Sequence, residues 1–394
     1  MHPEDSDGKL SFILNELGED REQYFNAVAP PIMQTSNFRV NRVEELKTLF
    51  EDEYSGYLYS RGLNPTVDIL RKKLAALDEA EDCLVFNSGA AAIFAAILAN
   101  TRKGDHIISV NSPYTWVRKM LDQIFSRFGV ETTYIDGRET AHFENARRPE
   151  TRMVYLETPS SWKFEIQDLK KIALWARANQ IVTLVDNSYC TPVYQKTIPL
   201  GIDISMQTAT KYIGGHSDTL GGILTGSRAM MKRIFDSEYL AVGSGIQPFN
   251  AWLLIRGLRT LEARLERIST TTIRVLEFLK SHPMVESVLF PLDPSFPQYQ
   301  LAREQMKGAG GLISFYIKSD RRSQIVKFCE NLKHVMMAVS WGGHESLILP
   351  GCAAIPDQDF DPKNRDHRML RLYVGLESAG YLIEDLESAF RSSI

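Results

Sequence analysis

IVTLVDNS, residues 181–188, is a short apolar run that ends on an aspartate, Asp186; further on, QTATKYIGGHSDTLGG, residues 207–222, sets a single lysine, Lys211, among threonines and glycines. The first run is rich in β-branched residues and too brief for a helix, so it predicts a strand. DISMQ, residues 203–207, predicts another strand directly before the lysine. Upstream, CLVF (83–86), DHIISV (105–110) and RMVYL (152–156) read the same way, while 90–99, 114–128 and 167–178 carry helical patterns. Strand and helix alternate from 64 to 256, which implies an α/β domain with a mostly parallel sheet covered on both faces. Beyond it, 258–279 carries a long charged helical period, and 285–290 and 311–317 read as strands of a smaller C-terminal α+β domain. The expected divisions are a weakly periodic N-terminal arm (1–63), a large domain (64–256) and a C-terminal domain (257–394).

Composition narrows the function. The chain has 394 residues, 44% of them hydrophobic, and a formal net charge of −4 with both signs mixed, so a sizeable core is available and no basic surface for nucleic acid or membrane is built. Cys83, Cys190, Cys329 and Cys352 are scattered, with neither metal-ligand spacing nor a disulfide framework, and the eight histidines show no HExxH pattern. No metal site is expected. The N-terminal MHPEDSDGKL is acidic and polar, unlike a secretory signal, and the apolar run 90–99 is about half of what a membrane span needs. A cytoplasmic protein working on small molecules is the expectation.

In open α/β sheets, ligands sit beyond the carboxyl ends of the strands, and three features fall there. Ser88-Gly89-Ala90 follows a strand and opens a helix; such a turn is either an ordinary connection or a cradle for a phosphate at a helix N-terminus. Asp186 either caps the next turn or holds a proton on a heteroaromatic nitrogen through a charge-assisted bond. Most lysines are solvated, but Lys211 is flanked by Thr208, Thr210, Tyr212 and glycines. A partly desolvated lysine acts as nucleophile and base. Lysine, carboxylate and phosphate cradle together fit pyridoxal 5'-phosphate.

At this point the sequence resembles a known family. The blocks YSRGLNPT (59–66), SGAAA (88–92), VDNSY (185–189), TATKYIGGHSD (208–218), RGLRTLEARL (256–265), SWGGHESLI (340–348) and LRLYVGLE (370–377) are similar to those of the Cys/Met metabolism (transsulfuration) family of pyridoxal-phosphate enzymes. Within it they are most similar to the bacterial cystathionine β-lyase branch. The resemblance implies an aspartate-aminotransferase-like (fold type I) large domain. It implies that Lys211 holds the cofactor as a Schiff base, that Asp186 pairs with the pyridine nitrogen, and that Ser88, Gly89, Ala90, Thr208 and Thr210 hold the phosphate. Tyr59 and Arg61 match a YxR pair that reaches the phosphate of a neighbouring subunit, so a homo-oligomer, a tetramer built from two dimers with shared active sites, is expected. Tyr114 matches a tyrosine that stacks on the ring and exchanges protons with the substrate; its other reading is core packing at a helix start. Arg371 matches the arginine that grips the substrate carboxylate, and Ser340 and Trp341 begin a block that lines the substrate pocket.

There are departures. ETPSSW (157–162) stands where many members read ESPxNP, so Ser161 replaces an asparagine near the ring hydroxyl, and Tyr114-Thr115-Trp116 replaces a YGGT-like turn. Both are similar to the β-lyase branch. Val339, however, stands where that branch often has tyrosine and some γ-lyases have valine. The implied reaction is β-elimination of an amino-acid thioether such as L-cystathionine, giving homocysteine, pyruvate and ammonia. The alternatives are cystathionine γ-lyase, methionine γ-lyase, or an acylhomoserine sulfhydrylase or cystathionine γ-synthase. A non-catalytic protein on the same scaffold is the rival of a different class.

Overall fold

The strand that ends in Asp186 is the central one of a seven-stranded sheet in the computed structural model, which describes residues 3–393. The strands are β1 (Asp82–Phe86), β2 (His106–Val110), β3 (Glu131–Ile135), β4 (Thr151–Glu157), β5 (Val182–Asp186), β6 (Ile204–Thr208) and β7 (Gly222–Gly226), in the order β1-β7-β6-β5-β4-β2-β3. From β3 through β6 every pairing is parallel, while β7 runs antiparallel to both neighbours. The mostly parallel sheet expected from the alternation is present. The chain divides into two compact units: the first holds residues up to Thr158, Gln167–Gly214 and Asp218–Arg259; the second holds Pro159–Ile166, Gly215–Ser217 and Thr260–Ile394.

Both faces of the large sheet are buried, which is why β5 reads as a continuous run rather than an alternating one. Successive residues point to opposite faces. Tyr155, Leu184 and Met206 join the helix residues Ile93 and Ile97 in one hydrophobic layer. Val154, Leu156 and Val185 join Ile172 and Ala176 in the other. The helix Gly89–Asn100 begins at Ser88, whose side chain accepts the Ala91 N–H as an N-cap.

One helical expectation changes in detail. Residues 114–128 form one helical turn, Thr115–Lys119, then a wider π turn, Met120–Ile124, then a tight end, Phe125–Phe128. Val117, Leu121 and Phe125 are all buried. Their four-residue spacing exceeds the α period of 3.6, and a wider turn keeps them on one face. The long helix expected over 258–279 is present as Leu261–Ser281, and a separate helix, Pro248–Leu258, precedes it. Near the end of that preceding helix, Gly257 packs against backbone: a Cβ there would lie 2.4 Å from the Ile213 carbonyl oxygen.

The second unit carries a five-stranded sheet in the order β10-β11-β12-β9-β8, built from β8 (Val285–Leu289), β9 (Leu312–Ile317), β10 (Met336–Met337), β11 (Leu347–Pro350) and β12 (Met369–Tyr373). Phe315, Phe328 and Phe390 pack together in its core. All four cysteines are buried and unpaired. Among the described residues no helix is long and apolar enough to cross a membrane.

Candidate active site

The carboxyl ends of β4, β5 and β6 gather the first group of functional side chains. Glu157 and Asp186 are register partners at the ends of β4 and β5. Asp186 is buried, and its Oδ1 accepts the Ser188 N–H at 2.9 Å. Burial pushes its carboxyl above the usual range, while the Ser188 hydrogen bonds and the Lys211 charge pull it down. The strand β6 continues into the turn that carries Lys211, so lysine and carboxylate lie within electrostatic reach of each other. Ser188 links the two strand ends a second time, because its hydroxyl accepts the Thr208 N–H at 2.7 Å.

Tyr114 belongs to the same group. Its backbone N–H donates to Glu157 Oε2 at 2.6 Å. Burial raises its phenol above the ordinary value, and the charges of Asp186 and Glu157 raise it further. Tyr155, two residues before Glu157 on β4, is fully buried with a hydroxyl that has no hydrogen-bond partner. Its phenol is raised for the same reasons: burial first, then Asp186, Glu157 and Tyr114.

The phosphate cradle expected at Ser88-Gly89-Ala90 sits beside this cluster. The first N–H groups of a helix have no helical carbonyl to bond, and the Ser88 cap takes only that of Ala91. A Cβ on Gly89 would lie 3.0 Å from Thr208 Cβ and 3.2 Å from Thr208 Oγ1, so the glycine leaves a small space between the helix start and the β6 end. Gly222 is the register partner of both Phe86 and Thr208. A Cβ there would lie 2.1 Å from the Ser88 carbonyl oxygen. The hydroxyls of Thr208 and Thr210 both donate to the Gly221 carbonyl, at 3.1 and 3.4 Å, which holds the start of the lysine turn against β7. Tyr59 and Arg61 line a cavity of about 370 Å³ with Ser36, Asn87 and Ser244. The Arg61 guanidinium lies 5.3 Å from the Tyr59 ring centre.

These groups fit pyridoxal phosphate. A buried carboxylate with a raised pKa is suited to a cationic N–H partner. A helix N-terminus capped by serine and opened by glycine is suited to a phosphate. The orphaned Tyr155 hydroxyl supplies one more buried polar atom beside the carboxylates.

In the second unit, Arg371 lies on β12 and is buried. Its guanidinium carbon is 4.9 Å from the Trp162 ring centre and 5.0 Å from that of Trp341. Two indole faces give cation–π support and orient the N–H edge. Arg371 Nη1 donates to the Ser161 carbonyl at 3.2 Å, so Ser161 contributes its backbone here. The Ser314 hydroxyl donates to the Trp162 carbonyl at 2.6 Å and ties that loop to β9. Ser340 stands at φ 86, a left-handed conformation costly for a residue with a Cβ. Val339 beside it is 73% exposed.

Sequence reasoning assigned no role to Glu157, Ser188, Gly222 or Trp162. Glu157 and Trp162 lie within ETPSSW and Ser188 within VDNSY, but their partners are distant in the chain. A carboxylate at the end of an apolar strand was the available signal for Glu157, the same one that marked Asp186.

Comparison with known proteins bears on the whole chain. Residues 13–391 match the profile of the family described as Cys/Met metabolism PLP-dependent enzyme. An L-methionine gamma-lyase of Treponema denticola is 35% identical over 391 residues, covering 97% of each chain. One from Porphyromonas gingivalis is 37% identical over 383 residues, covering 95% of each. A cystathionine gamma-lyase of Homo sapiens is 35% identical over 383 residues, covering 96% of this chain and 92% of the relative.

Proposed function

The chain belongs to the Cys/Met metabolism family of pyridoxal-phosphate-dependent enzymes and is a lyase of amino-acid metabolism, and within that class we propose that it cleaves the Cγ–S bond of an amino-acid thioether by γ-elimination. The observation that carries this reading is the near full-length likeness to methionine and cystathionine γ-lyases. The β-elimination expected from the blocks at 114–116 and 157–162 takes second place to it. That second reading keeps one specific support: Trp162, from the departing block, lies against Arg371.

Bound pyridoxal phosphate supplies an electron sink for negative charge at the substrate's Cα. Lys211 would hold the cofactor, and its amine would move the protons at the substrate's Cα and Cβ. Asp186 keeps the cofactor's ring nitrogen protonated. The Ser88–Ala90 turn, with Thr208 and Thr210, takes the phosphate. Arg371 grips the α-carboxylate by its N–H edge. Tyr114 serves best as an acid: burial and two neighbouring carboxylates favour its protonated form, so it gives a proton to the departing thiolate. With L-methionine and water the products are methanethiol, 2-oxobutanoate and ammonia.

Tyr59 and Arg61 are assigned to the phosphate of a second copy of this chain. Exposed apolar residues on the same arm, Phe25, Val28, Val43 and Phe50, support an arm that packs on a neighbour. Co-assembly of Lys211→Ala with Arg61→Ala chains should then restore activity that neither variant has alone.

The deciding experiment incubates the cofactor-loaded protein with L-methionine and with L-cystathionine and identifies the keto acid. 2-Oxobutanoate is expected. Pyruvate from cystathionine would move the enzyme to β-elimination, and no keto acid from either would overturn both readings.

A further inference from the structure

The chain that follows Lys211 enters the second unit within a few residues, at Gly215–Ser217. There Ser217 stands at φ 57, a left-handed conformation that is strained for a residue with a Cβ. Its hydroxyl donates to Glu345 Oε1 at 2.6 Å, the length of a charge-assisted bond. The Glu345 side chain is only 12% exposed, and its other oxygen lies 3.1 Å from His344 Nδ1.

The surroundings are shaped to this contact. A Cβ on Gly343 would fall 2.1 Å from Ser217 Oγ and 2.4 Å from Glu345 Oε2. Gly215, at φ 70, leaves room for the buried Arg264, whose Nη1 would stand 2.0 Å from a Cβ there. The loop that carries Glu345 is clamped in turn by the chain leaving β12. The Tyr373 hydroxyl donates to the Gly343 carbonyl at 2.7 Å, and the Leu376 N–H to the His344 carbonyl at 2.8 Å. Glu377 accepts both the N–H and the hydroxyl of Ser346, each at 2.8 Å. Glu345 therefore presents its carboxylate from a held backbone to a hydroxyl six residues after Lys211. A serine persists in a left-handed conformation only where its surroundings over-determine it.

We infer that Glu345 is a positioning residue for Lys211: by accepting the Ser217 hydroxyl it fixes the downstream end of the lysine turn. The inference rests on the reading of Lys211 as the amine that moves the protons. Glu345 acts through Ser217 and is assigned no contact with substrate.

Ser217→Gly separates positioning from stability, because it deletes the hydroxyl and relieves the left-handed backbone at once. In the cofactor-loaded protein its thermal midpoint should hold within about 3 °C. Its kcat should fall about 10- to 100-fold, with KM little changed, as a misplaced proton-transfer group requires. The pH at which the bound cofactor's visible band changes should shift as well. Glu345→Ala should do the same, Glu345→Gln, which keeps an accepting oxygen, should retain most of the activity, and Ser217→Gly with Glu345→Ala together should be no slower than the slower single variant. Wild-type kcat and band in Ser217→Gly would overturn the inference, as would losses that multiply in the double variant. A fall in thermal midpoint with unchanged turnover per bound cofactor would overturn it too. Lys211→Ala separates the two levels: turnover retained there sinks the site reading itself, whereas an inactive Lys211→Ala beside a normal Ser217→Gly sinks only this inference.

Discussion

Glu157 and Asp186 end neighbouring strands in register, yet their partners give them different work. Asp186 spends one oxygen on the Ser188 N–H, whereas Glu157 fixes the backbone of Tyr114. Tyr114 then stands near two carboxylates that hold its proton in place. An acid that protonates a leaving thiolate matters most when that thiolate is strongly basic. Tyr114→Phe should therefore slow cleavage of methionine by about 10²-fold or more, and that of an S-aryl homocysteine much less. Equal losses on both substrates, in steady-state assays at matched cofactor occupancy, would remove Tyr114 from that role.

Among the elements, the antiparallel strand β7 does the least visible work. It lies between β1 and β6, and its first residue, Gly222, faces the Ser88-Gly89 turn. Because the atoms crowding that position are backbone, Gly222→Ala should cost roughly 1–3 kcal/mol of stability. It should also weaken cofactor binding, since the turn must shift to admit a methyl group. Denaturant melts and a cofactor titration of the apo-protein check both effects; unchanged affinity would show that the turn is not the cradle. β5 and β6 declared themselves through apolar runs. β3, ETTYI, has only one fully apolar residue and escaped notice, as did β7, GILTG, hidden between glycines. The helix Pro248–Leu258 was passed over as well; at its end Gly257 packs on Ile213, a contact between distant parts of the chain.

Across the whole molecule, buried charges anchor the arm and the large sheet. The Glu19 carboxylate is fully buried and meets Lys73 at 3.1 Å, Arg259 at 3.0 Å and Arg21 at 3.1 Å. Lys73 is itself buried and also bonds the carbonyls of Ile13 and Leu14. Glu19→Ala leaves that ammonium without its anion and should cost about 3–5 kcal/mol at neutral pH. Burial already lowers the Lys73 pKa below 10.5, and loss of Glu19 lowers it further. The unfolded chain then binds more protons, so stability rises with pH below that value, and the deficit should shrink as pH approaches it. Asp78 has the opposite sign. Burial pushes its carboxyl up to about 6 from 3.8, against hydrogen bonds from Thr225 and Thr197. The folded state binds the extra proton, so this stabilising contribution is present below pH 4 and lost as pH rises towards 6. In Asp78→Asn the thermal midpoint should fall less across that window; an identical pH profile would show that Asp78 titrates normally.

The sequence by itself determined the alternation of strand and helix, the strand ends that carry Asp186 and Lys211, the glycine turn at Ser88-Gly89, and the blocks that mark the family. Each is a matter of period, of chain order or of residue type at a single position, and such signals are written locally. The tertiary structure alone decided that Glu157 holds Tyr114, that two indoles embrace Arg371, and that Ser217 reaches Glu345. Those partners are separated by tens to hundreds of residues, and no local pattern encodes which distant group a side chain will meet. Packing chooses it, because a buried charge or hydroxyl must find a partner wherever the folded chain brings one.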